Sequence, residues 1–97
     1  MVRYIALMNF TEQGLRGIKD TTKRAAAAQR LAKEFGCEFK SIHWTQGAYD
    51  LVITLEGKDE QSLSAFSLAT ATLGNVRVQT LRAFDAAEMD KILARVP

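Results

Sequence analysis

Apolar residues fall on both parities of the first ten positions. Val2, Tyr4, Ala6, Met8 and Phe10 take the even places, and Ile5 and Leu7 share the odd ones with Arg3 and Asn9. Such a run, bounded by Asn9, Thr11 and Gly14, predicts a strand over Met1 to Phe10 that is covered on both faces. Thr11 is placed to cap a short helical turn that Gly14 and Gly17 weaken. Asp20, Thr21 and Thr22 supply a better start. Lys23 to Phe35 then carries Ala28, Leu31, Ala32 and Phe35 at helical spacing, and Gly36 fits a left-handed C-cap. The period next falls to two. Cys37 to Thr45 and Tyr49 to Glu56 read as strands, joined as a hairpin by Gln46-Gly47-Ala48. After Gly57-Lys58-Asp59, a helix over Glu60 to Leu73 presents Leu63, Phe66, Ala69 and Leu73 and stops at Gly74. Asn75 to Ala83 forms a fourth strand with Val76 and Val78 on one face. Asp85 and Glu88 then make an Asp-variant capping box, with Phe84 and Met89 in the staple positions and Met89, Ile92, Leu93 and Val96 as one apolar stripe.

The order βαββαβ with an added C-terminal helix predicts one α+β domain over residues 1–97. Two right-handed crossovers give a four-stranded antiparallel sheet with helices on one face, the ferredoxin-like plan. Alternation in the third strand assigns Leu51, Ile53 and Leu55 to the helices. Placing Ile5 and Leu7 beside them leaves Tyr4, Met8, Ile42, Trp44, Val52 and Leu81 on the open face. A patch of that size calls for a cover, and a second copy of the chain is the expected one, in a symmetric sheet-to-sheet dimer.

Composition narrows the partners more than it names them. The 97 residues are 47% hydrophobic and 25% charged, which is a globular balance. Thirteen Lys and Arg against eleven Asp and Glu leave a net charge of +2, too little to argue nucleic acid or an anionic membrane. The single cysteine precludes an intrachain disulfide and fits a reducing compartment. No basic leader or long apolar run opens the chain, so the expected location is cytoplasmic, without a membrane span. Gly14-Leu15-Arg16-Gly17 has the spacing of an RNA-clamping GxxG loop, but the element order is wrong for that fold. The third strand likewise offers Asp50, Val52 and Thr54 where an RNA-stacking sheet needs aromatics.

The hairpin segment Trp44-Thr45-Gln46-Gly47-Ala48-Tyr49-Asp50 resembles the signature of the GYD-domain family, which carries Gly-x-Tyr-Asp after a Trp-Thr pair. Tyr4-Ile5-Ala6-Leu7, Phe10-Thr11-Glu12-Gln13-Gly14 and Ile18-Lys19-Asp20 are similar to the family's opening. Gly74-Asn75-Val76-Arg77 and Thr80-Leu81-Arg82-Ala83-Phe84 are similar to its end. The resemblance implies a ferredoxin-like fold of the dimeric α/β-barrel superfamily. It implies no reaction.

Each candidate side chain has a functional and a structural reading. Asp50 with Lys40, Trp44 and Arg77 suits a ligand pocket between the sheet and its covering partner; alternatively, Asp50 ties down the hairpin or pairs across strands. Tyr49, in phase with Leu51 and Ile53, reads first as a core residue with a bonded hydroxyl and second as a proton donor. Gly47 reads as a turn residue needing positive φ. His43, the one histidine, is a hydrogen-bonded neighbour of Phe39 and Ser41 or a catalytic base. Cys37 lies roughly 20 Å along the strand from it, so the two offer no metal-ligand grouping, and neither a metal nor another cofactor is expected. The leading expectation is a homo-oligomer that binds a small molecule or serves as an accessory module. A cofactor-independent oxygenase or isomerase, using Trp44, Asp50, His43 and Asn9, is the alternative, and a purely structural assembly role is the third reading.

Overall fold

A computed structural model describes residues 1–97. The elements are β1 (Val2–Phe10), α1 (Glu12–Arg16), a 3-10 turn (Ile18–Asp20), α2 (Thr21–Glu34), β2 (Cys37–Trp44), β3 (Leu51–Gly57), α3 (Glu60–Thr72), β4 (Val76–Ala83) and α4 (Ala86–Leu93). The strands form one antiparallel sheet in the order β2-β3-β1-β4, the ferredoxin-like α+β arrangement. The caps explain several boundaries. The Thr11 hydroxyl accepts the Gly14 N–H, Asp59 accepts the Ser62 N–H, and Asp85 and Glu88 close a reciprocal capping box. The two staple residues of α4 remain nearly half exposed, Phe84 at 48% and Met89 at 43%. Phe84 instead carries the Arg82 guanidinium over its ring, 4.5 Å from the centroid.

Register settles which residues face the helices. Ala6 pairs with Ile53 and Met8 with Leu51, and these four are buried together with Leu55, Ala32, Cys37, Leu63 and Phe66. The even residues of β1 therefore point into the core, contrary to the expectation that placed Ile5 and Leu7 there. In β2 the pairing shifts between Phe39 and Ser41, and this bulge reverses the phase of the strand. Phe39 before it and Ile42 after it both pack against the core. Ser41 and His43 pair with Thr54 and Val52 and so share the open face. Tyr4, Met8, Ile42 and Trp44 thus leave the expected open face. Ile5, Leu7, Val52 and Leu81 form its apolar centre, with Asn9, Arg77 and Gln79 beside them.

Only 11 of 97 residues are buried, few for a chain that is 47% hydrophobic. Its radius of gyration is 14.5 Å, against roughly 12.5 Å expected for a compact domain of this length. At the C-terminal end, α4 has no buried residue. Its N-terminus is held by Arg3, which reaches Glu88 at 2.7 Å, Glu56 at 2.8 Å and Asp85 at 3.7 Å. The Asp85 N–H and then Arg3 hold the Glu88 carboxyl below its ordinary value, and the two glutamates raise Arg3 in turn.

Candidate ligand-binding site

The Ala-rich stretch of α2 determines the principal cavity. A helix packing on a sheet ordinarily fills the gap with large side chains, and a methyl group cannot do so. Ala25, Ala27 and Ala28 line a cavity of about 350 Å³ between α2, α3 and the sheet, a volume within the range of small-molecule sites. Its apolar walls include Leu31 from α2, Phe39 and Ile42 from β2, Ile53 from β3 and Phe66 from α3. Phe66 meets the Phe35 and Phe39 rings edge-on, with centroids 6.1 and 5.8 Å away, which fixes that end of the wall.

Polar groups gather at the other end, where β1 stops and β4, α2 and the last turn of α3 converge. Thr21, Arg24 and Asn75 line the cavity there, and Thr70, one turn on from Phe66, is the fourth polar residue of the wall. The Thr21 hydroxyl accepts the Trp44 indole N–H at 3.0 Å. Arg24 donates to the carbonyls of Gly14 and Gly17. Asn75 accepts the Thr11 N–H through its carbonyl and the Gln13 amide through its side chain. The Thr70 hydroxyl is buried without a hydrogen-bond partner. Burying a hydroxyl in this way is costly. The lining holds one ionisable side chain, Arg24, and no carboxylate.

The residues singled out in the sequence are distributed differently. Trp44 approaches this end through Thr21. Asp50 stitches the β2–β3 loop to β1: its N–H donates to the Met8 carbonyl, its carbonyl accepts the Thr45 N–H, and its carboxylate accepts the Phe10 N–H at 2.9 Å. Tyr49 lies before β3 rather than within it, and its hydroxyl donates to Gln79 at 2.8 Å. Gln79 faces away from the helices, so Tyr49 belongs to the open face and not to the core. Gly47 turns the loop at φ +131°, a conformation that favours glycine. Lys40 pairs with Glu38 at 3.4 Å and Glu56 at 3.7 Å. Arg77 sits on β4, the opposite edge strand, three strand spacings or about 14 Å across the sheet and several residues further along it. Asp50, Lys40, Trp44 and Arg77 therefore do not meet at one pocket. His43 is exposed on the open face, while Cys37 is in the core, where burial above all pushes its thiol pKa up. No group of three or more His, Cys, Asp or Glu is arranged to hold a metal ion, and no helix is long and apolar enough to cross a membrane.

Two segments that resemble the family in sequence do come together. Thr11, Gln13 and Gly14 of the α1 region lock onto Leu73, Gly74 and Asn75 of the α3–β4 connection. A family model described as GYD domain matches residues 4–93. The chain belongs to the GYD domain family. Its Gly-x-Tyr-Asp residues have the hairpin and β1 contacts described above. Among solved structures, this GYD domain is similar to the crystal structure of FFRP-DM1, with a TM-score of 0.61 and 20% identity over 87% of this chain and all (100%) of that one. It is also similar to the crystal structure of TTHA0845 from Thermus thermophilus, with a TM-score of 0.58 and 24% identity over 89% of this chain and 96% of that one. At such identities the likeness is one of fold. No curated protein sequence matches the chain.

The cavity residues carry only a weak sequence signal. Ala25 to Ala28 reads as helix propensity, and its second meaning is spatial: alanines stand where a sheet-facing helix usually places leucine. Arg24, Thr70 and Asn75 show no motif, because α1, α2, α3 and β4 assemble them only in the fold.

Proposed function

We propose that this GYD domain binds a small, largely apolar molecule in the cavity between its helices and sheet, and that it does so as a homo-oligomer. The observation carrying the binding reading is the cavity itself, about 350 Å³ with thirteen hydrophobic residues among seventeen in its wall. Filling it would bring new dispersion contacts to the Ala face of α2 and to Phe39 and Phe66. Support for the oligomer comes from the open face, where Ile5, Leu7, Val52 and Leu81 adjoin one another through strand pairing and Leu81 is 42% exposed. The apolar stripe of α4 is a second surface without cover, with Met89 at 43% and Leu93 at 51% exposure. A second copy of the chain placed over the open face would bury its apolar centre against the same residues.

A cofactor-independent oxygenase or isomerase would need a group able to take or give a proton beside its substrate. Arg24 is the one ionisable side chain in the wall, and a guanidinium offers donors and no acceptor atom. His43 and Asn9 stand on the other face of the sheet, and Asp50 is occupied with the Phe10 N–H. These placements favour binding over catalysis. Native mass spectrometry of protein purified from its source cells tests the reading. The expected species is a dimer retaining a small-molecule mass, and a bare monomer at micromolar concentration contradicts it.

A further inference from the structure

The polar end of the cavity has a chemical bias: it offers donors and one fixed positive charge. Arg24 is half-buried, and its two hydrogen bonds go to the main-chain carbonyls of Gly17 and Gly14. A guanidinium has five N–H donors, so three remain unused. The Thr21 hydroxyl accepts from Trp44 and keeps its own proton to donate. Asn75 uses its side-chain oxygen as an acceptor for Gln13, which leaves its NH₂ group free. Gly14 ties two of these residues to one point of the fold, since its carbonyl accepts from Arg24 and its α-carbon packs against the Asn75 main-chain carbonyl. No Asp or Glu lines the wall to neutralise the charge.

We infer that the ligand is an apolar monocarboxylate, with its hydrocarbon body against Ala28, Phe39 and Phe66 and its carboxylate at Arg24, Thr21 and Asn75. Medium-chain fatty acids and aryl-alkanoic acids are the class meant. The inference rests on the binding reading above and adds the chemistry of the head group. A carboxylate matches the planar guanidinium fork, and one negative charge balances the single positive one. The unpartnered Thr70 hydroxyl also lines the cavity and is a further unused donor in its wall. The apolar end of the cavity holds the part of the ligand that needs no partner.

Calorimetric titration of the whole protein with octanoate, 1-octanol and octyl phosphate separates the outcomes. Octanoate should bind at least about 10-fold more tightly than 1-octanol, as expected for one charge-assisted hydrogen-bonded pair. Arg24→Gln should cut the preference for octanoate over 1-octanol by about 10-fold or more, whatever it does to the affinity for each. Because Arg24 also holds Gly14 and Gly17, the wild-type comparison of octanoate with 1-octanol stands as a test that needs no variant. Equal affinity for octanoate and 1-octanol overturns the carboxylate assignment while leaving the apolar site intact. Octyl phosphate binding more tightly than octanoate overturns it in favour of a phosphate head. Failure of all three to bind overturns the binding reading itself.

Discussion

Gly14→Ala is expected to lower the stability of this GYD domain by about 3 kcal/mol, a fall in Tm of roughly 12–24 °C for a domain of this size. Gly14 is buried in α1, and a methyl group there would fall on the Asn75 carbonyl oxygen. That oxygen is main chain and is held in place by the Thr11 N–H at 3.1 Å, so it cannot swing aside as a side chain would. Relief requires α1 to withdraw from the α3–β4 connection. That movement would strain the Thr11 and Gln13 bonds to Gly74, Leu73 and Asn75 and the Arg24 bond to the Gly14 carbonyl. A thermal melt followed by circular dichroism reads the effect. An unchanged Tm would mean that α1 is free to shift, and the polar end of the cavity would then lack the fixed frame described above.

Asp50→Ala is the second large effect, expected at about 2 kcal/mol or roughly 8–16 °C in Tm. The carboxylate accepts the Phe10 N–H at 2.9 Å at the end of β1, and alanine leaves that donor without its partner. The main-chain bonds of Asp50 to Met8 and Thr45 survive the change, which bounds the loss. Asp50→Asn keeps an acceptor oxygen in the same place and should recover most of the stability. Calorimetry with 1-octanol adds the functional readout: affinity should change less than about 3-fold in the asparagine variant if Asp50 acts on the hairpin rather than on the ligand. A larger loss of binding with an unchanged Tm would return Asp50 to the ligand site.

The order of elements, the hairpin, the α4 capping box and the family likeness were legible in the chain because each rests on residues close in sequence. Asp85 and Glu88 are three positions apart, and Leu51, Ile53 and Leu55 alternate within one strand. The faces of β1 and β2 were not legible, for two physical reasons. Both parities of β1 are apolar, so its phase follows from its register against β3, where Ala6 meets Ile53 and Met8 meets Leu51. That register is a long-range property. In β2 the bulge near Lys40 sends Ile42 and Trp44 to the side that Phe39 occupied, and a strict period of two carries them to the wrong face. The cavity was hidden for a related reason. Its alanines were visible, but the gap they leave opens only once Phe39, Ile53 and Phe66 are brought opposite them.

The central claim is that the space beneath α2 is a ligand site and not a packing defect. Amide chemical shifts of the isotope-labelled whole protein, followed as 1-octanol is added, test it most directly. Saturable shifts confined to the wall, at Ala28, Leu31, Phe39, Ile53 and Phe66, are the predicted result. Shifts centred on Ile5, Leu7, Val52 and Leu81 of the open face, or no saturable shift at all, would contradict it.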